Sequence, residues 1–401
     1  LNNKSSSGIV ALCVHIILLY DPRYDYALEE YNMKNKKVVF VCLLLVCCML
    51  VASAVVIAGK PDNPGKPPKD PPPPPPEGTV YFSQYDGVDR DMWTMNPDGS
   101  GKTQIGVYMG IDSEREAFGD MSRLQHGGHY WFIRFETVGG KYPDGEFVRE
   151  IFAVRDDGLK EVQLTDDPTL GTCWYARALI WGIDDNTITW SAKRWVDGNL
   201  DMDSFGIYSA AISFDANGDV IELSEEPTLI WNTGYHYLTE NDIYIPNLKR
   251  FDWSPDGTKL VLSKWIHNDI FWSIFIVDLG AESETDLGTH GWRVKWSPDG
   301  SKIAFIQGTY GSLCTINPDG SDEQVIVEES YKGNTIRSVE DEMGWSPDSN
   351  YLHYTWRVIK NLNDGFTSKY SVHRVEANGD DPTSMTDDLS DDTYPIAHAW
   401  R

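Results

Sequence analysis

The sequence predicts an all-β fold for residues 78–401, a six-bladed β-propeller of four-stranded antiparallel blades. Three observations predict it. A tryptophan-and-turn segment recurs, a second hairpin follows it in every unit, and the two ends of the region supply complementary parts of one blade.

The first register is plainest in residues 251–262 (FDWSPDGTKLVL), 294–305 (VKWSPDGSKIAF) and 343–354 (MGWSPDSNYLHY), which coincide position by position around Trp253, Trp296 and Trp345. Proline fixes φ for the turn, aspartate caps it and glycine accepts positive φ, while the flanking apolar alternation suits two antiparallel strands. Residues 179–190 (LIWGIDDNTITW) are a degenerate fourth copy. A fifth lies at residues 121–133, where Gly127 and Gly128 replace the usual turn.

The second register is a hairpin seen at residues 92–105, 151–164, 207–223, 273–287, 313–326 and 371–385, as in MWTMNPDGSGKTQI and LCTINPDGSDEQVI. Two hairpins in succession make one blade, and six copies make six blades. Trp400 in PIAHAWR occupies the first-hairpin position with no turn after it, and residues 78–82 (GTVYF) are a strand lacking that partner. The last strand therefore completes the first blade and closes the ring, which removes exposed sheet edges.

The repeat is similar to that of the TolB-like, WD40-like (PD40) propeller family, on WSPDG with its alternating strand and on the NPDGS turn, across residues 78–401. The resemblance implies the architecture more than an activity, because the same repeat occurs in propellers of prolyl-oligopeptidase-type peptidases and of oligogalacturonate-lyase-like enzymes. Blades two and three depart from its pattern.

Composition separates the rest of the chain. All fifteen tryptophans lie beyond residue 77. Residues 1–32 read as a non-native or disordered upstream extension. Met33, three lysines and the apolar run 38–59 read as a signal peptide with a small-residue cleavage site at Ala52-Ser53-Ala54, or as an uncleaved signal anchor. Both place the propeller outside the cytoplasm: periplasmic, at the cell surface, or secreted. The membrane is met only through this segment. Cys47 and Cys48 follow Val46 rather than a small residue and read as apolar filler, not lipidation sites. Residues 60–77 (KPDNPGKPPKDPPPPPPE) are a stiff polyproline spacer.

Residues 78–401 carry 26 lysines and arginines against 54 aspartates and glutamates, a formal −28, which disfavours nucleic acid and anionic lipid. Cys173 and Cys314 form no disulfide framework. No Gly-x-Ser-x-Gly elbow is present, so the hydrolase chemistry of the peptidase relatives is not expected. A metal-dependent lyase needs histidines converging on the channel, and His236, His290 and His398 do not occupy matching repeat positions. Asp86, Asp89 and Asp91, and Asp197, Asp201 and Asp203, are the carboxylate groups that would accept calcium, although neither has EF-hand spacing and turn capping explains both.

The candidate binding residues lie at the expected channel mouth: Arg250, Arg293, Glu342, His398, His290 and Trp292. The two arginines would receive a carboxylate from a peptide terminus or an acidic sugar, with ion pairing between strands as the ordinary alternative. Taken together these readings favour a protein- or peptide-binding scaffold without its own catalysis. The rival is a carbohydrate-active propeller acting on uronate oligosaccharides.

Overall fold

A computed structural model of the chain describes residues 77–85, 90–108, 116–141, 147–166, 170–172, 178–196, 199–237, 244–246, 248–265, 272–362, 365–387, 389 and 394–401. The upstream extension, the leader and nearly all of the proline-rich spacer lie outside these residues. So do Cys173, Asp86, Asp89 and Asp197, which leaves both candidate calcium groups incomplete.

The described residues form six antiparallel sheets arranged as blades, together with a small two-stranded pairing of Tyr235–Tyr237 with Tyr244–Pro246. The first is Ile396–Trp400, Val80–Tyr85, Arg90–Met95 and Thr103–Tyr108 from the inside outward, and the second is Glu116–Met121, Trp131–Lys141, Phe147–Arg155 and Glu161–Gln163. The fourth runs Leu248–Trp253, Lys259–Trp265, Trp272–Asp278 and Ser283–His290. The fifth runs Trp292–Trp296, Ile303–Gln307, Ser312–Ile316 and Gln324–Val327.

Blades three and six exceed the four-strand pattern. In blade three the paired strands Thr187–Val196 and Asn199–Phe214 are long enough to carry two short partners each. Leu170–Thr172 and Leu179–Trp181 add on one side, Val220–Leu223 and Thr228–Asn232 on the other. In blade six Thr335–Trp345, Tyr351–Leu362, Gly365–Glu376 and Thr383–Ser384 are joined by Ser330–Lys332 against the first of them.

The predicted closure is present. Val80 pairs with Trp400, Tyr81 with Ala399 and Ser83 with Ile396. Thr79 and Arg401 exchange backbone hydrogen bonds of 2.5 and 2.9 Å.

The core is divided into six wedges, each shared by neighbouring blades. Blades two and three share Trp131, Ile133, Trp181 and Trp190, and blades four and five share Val261, Ile276, Trp296 and Phe305. Blades six and one share Val372, Tyr351, Val80 and Trp400. This explains the tryptophan content. A large rigid ring fills the widening gap between twisted sheets and buries much apolar area with few rotatable bonds.

Each WSPD turn is organised by its serine. Ser254, Ser297 and Ser346 are buried, and each hydroxyl donates to the turn aspartate at 2.6–2.7 Å while accepting the amide five residues on at 2.9 Å. Gly257 and Gly300 take φ of 69° and 76°, and Ser349 adopts 62° where the third copy lacks glycine. The degenerate copy of blade two keeps the device, since the Ser122 hydroxyl accepts the Trp131 amide at 3.0 Å. Replacing Ser297 with alanine leaves the Lys302 amide without its acceptor and removes one of the three donors to Asp299 Oδ1, Ser301 keeping the other two. We expect a loss of about 1–2 kcal/mol in denaturant unfolding.

Candidate functional site

The innermost strands run toward the axis and end at the tryptophan turns, so the residue just before each tryptophan position faces the channel. Going round the ring these are Ala399, Asp120, Ile180, Asp252, Lys295 and Gly344. All of these but Ile180 border a cavity of about 410 Å³ at the turn end of the channel, walled also by Trp253, Trp296, Trp345, Trp400 and the turn prolines Pro255, Pro298 and Pro347. A space of this size accommodates a small molecule or a few residues of a peptide.

The polar groups of the wall lock neighbouring blades together. Asp120 accepts the Trp181 amide of the next blade at 3.3 Å, and Asp252 accepts the Trp296 amide of the next blade at 2.8 Å. Arg123 donates to the carbonyls of Trp181 and Gly182, and Arg401 donates to those of Met121, Ser122 and Trp400. Arg401 Nη2 also stands 3.5 Å from Asp120. Lys295 differs from these cations. Its nearest carboxylate among the described residues is that of Asp252 at 3.9 Å, beyond hydrogen-bonding distance, and its charge also acts on Asp120.

Burial alone would raise the Asp120 carboxyl, but Lys295, Arg401 and Arg123 together hold it below its ordinary value, so it remains ionised. His353 is fully buried, and the hydrogen-bonding group beside its ring is the backbone of His398. Burial, reinforced by Arg401 and Lys295, pushes it down to about 3, so the ring is neutral at pH 7. The ring packs against Gly344, where an added Cβ would lie 2.5 Å from its Cε1, and this close approach requires glycine there.

The structure brings together three of the residues singled out from sequence. Glu342 Oε1 stands 3.4 Å from Arg250 Nη2 and 3.3 Å from Arg293 Nη1. The three line a small void of about 30 Å³ that shares Lys295 and Met343 with the large cavity, so the ion cluster lies farther along the channel from the turns. Arg293 has φ of 59°, within an irregularity of pairing between Trp292 and Lys295. The Glu342 carboxylate occupies the place where an incoming carboxylate would meet these arginines.

His398 lines the large cavity, with Nε2 2.8 Å from the Ser83 hydroxyl. His290 ends the outermost strand of blade four, exposed and 3.0 Å from the Ser273 hydroxyl, so three strands separate its position from the axis. Trp292 begins the innermost strand of blade five but packs against the wedge between blades five and six.

Sequence reading did not single out Asp120, Arg123, Asp252, Lys295, His353 or Arg401. For three of them a signal exists: a charged residue at the position before the repeat tryptophan, where other copies carry Gly, Ala or Ile. Among the described residues, the group of three able to hold a metal is His129, Asp156 and Asp157, in the turns of blade two and not in the channel wall. Its atoms are engaged with one another and with Arg155.

The fold and this cavity define the class: a six-bladed propeller with a recess at the turn end of its channel. No family model matches the chain, and no curated protein matches it. Among solved structures it is similar to a putative TolB from Agrobacterium tumefaciens, at 13% identity and TM-score 0.40, over 81% of this chain and 98% of that one. A chain of a nidogen/laminin complex gives 11% identity and TM-score 0.43, over 80% and 94%. An oligogalacturonate lyase in complex with manganese gives 12% identity and TM-score 0.37, over 77% and 72%.

Proposed function

We propose that the chain is an extracytoplasmic binding module that holds a protein or peptide partner at the turn-side mouth of its channel and carries no catalysis of its own. One observation carries this reading. Asp120 and Asp252 in the wall of the large cavity are locked by hydrogen bonds to the next blade, and among the described residues that line it the histidines are His353 and His398. A preorganised wall of this kind favours recognition, whereas a metal-assisted lyase requires a convergent ligand set. The basic stub, apolar run and polyproline spacer of residues 33–77 support export and a stand-off from the membrane.

A photo-crosslinking residue at Pro298, on the cavity rim, and another at the exposed Leu229 of blade three test it. The reading expects a specific protein adduct in the native envelope from position 298 and not from 229. Absence of an adduct at 298, or metal-dependent depolymerisation of polyuronate by the pure domain, overturns it in favour of the carbohydrate-active enzyme.

A further inference from the structure

We infer that the cavity takes a single carboxylate, presented at the end of a peptide whose neighbouring residues are basic. This rests on the channel mouth being the binding site, and it names the chemistry that the site selects.

The centre of the recess favours an anion. Three cations, Arg123, Lys295 and Arg401, line it against two carboxylates, Asp120 and Asp252. Both carboxylates already accept a backbone amide of the next blade, and both arginines are bound to backbone carbonyls. Asp185, behind the wall, accepts the Leu124 amide. Lys295 keeps its donors uncommitted among the described residues, half-buried and 3.9 Å from Asp252. His353, fully buried in the same wall beside the His398 backbone, keeps one ring nitrogen with hydrogen-bonding capacity left over. An unsatisfied buried polar group costs stability unless something meets it, and a ligand carboxylate is a group that both Lys295 and a neutral imidazole N–H can serve.

The rim has the opposite sign. Asp256, Asp299 and Asp348 stand in the three turns next to the prolines of the cavity wall. Hydrogen bonds from serine hydroxyls and turn amides hold their carboxyls below the ordinary range, that of Asp256 down to about 2. All three are charged at neutral pH. An uncommitted lysine in the recess beside an acidic arc over blades four to six attracts one anionic end group with cations beside it and repels a polyanion. That pattern favours a peptide terminus over a polyuronate, whose carboxylates repeat along the chain.

The test uses fluorescein-labelled tetrapeptide pools ending either in a free carboxylate or in a carboxamide, read by fluorescence anisotropy on the folded protein. The free-acid pool should bind about tenfold more tightly, and more tightly still with Lys or Arg before the terminus than with Asp or Glu. Lys295→Met should abolish the acid-over-amide preference, while Lys295→Arg keeps it. Asp299→Asn, at an exposed turn, should weaken the preference for basic neighbours whether or not Lys295→Met folds well. Equal binding of acid and amide overturns the inference, as does equal displacement by trigalacturonate. If the position-298 adduct still forms while acid and amide bind alike, the carboxylate assignment fails and the binding-module reading stands.

Discussion

Trp400→Ala should lower the unfolding free energy by about 3–5 kcal/mol, the range for deleting a fully buried aromatic side chain. Trp400 is 1% exposed and sits in the wedge between blades six and one, against Tyr351. Its indole N–H donates to the Glu77 carbonyl at 3.1 Å, and its backbone pairs with Val80. The substitution therefore removes apolar contacts at the one place where strands from opposite ends of the propeller sequence meet. A released final strand would also uncover the edge of Val80–Tyr85, and an open edge promotes association between chains. Chemical denaturation followed by tryptophan fluorescence, with light scattering at the midpoint, measures both effects. A midpoint like that of the parent would show that closure does not depend on this ring.

The second large effect concerns Asp185, fully buried at the turn of blade three with φ of 54°. Burial is the main influence on its carboxyl and raises it to about 6, opposed by the Leu124 amide at 2.5 Å and by Arg123. The folded value lies above the unfolded value of 3.8, so the folded state holds the proton more tightly. Above pH 6 the ionised group therefore costs stability, about 2–3 kcal/mol from the size of the shift, and the cost fades as pH falls through 6 toward 4. Asn tolerates the same backbone conformation and still offers an acceptor to Leu124. Asp185→Asn should thus be more stable than the parent at pH 8, with the gap cut to about a third at pH 4.5. Thermal unfolding across that range checks it, and a gap independent of pH would remove proton linkage as the cause.

The pattern of repeats made the blades legible because each WSPDG copy contains its own local instructions. Pro255, Asp256 and Gly257 specify a turn through φ restriction and capping wherever the segment sits, and alternation in the strands specifies one buried face. Blade three was less legible, since its long central strands recruit short partners through hydrogen bonding that leaves little mark on residue type. The site was legible only in part. Arg250, Arg293 and Glu342 were readable as charges in an inner strand, but their mutual pairing was not. His290 lies close to Trp296 in sequence yet on the other side of a blade boundary, so proximity along the chain misplaced it.

The amino-acid sequence by itself determined the number of blades, the turns and the pairing of the chain's final strand with Val80, because these rest on local stereochemistry and on a count of repeats. Only the tertiary structure decided which charges share the channel. Asp120, Lys295 and Arg401 come from three different blades, and the distances among them depend on how closed sheets tilt round an axis, which no local rule of residue spacing encodes.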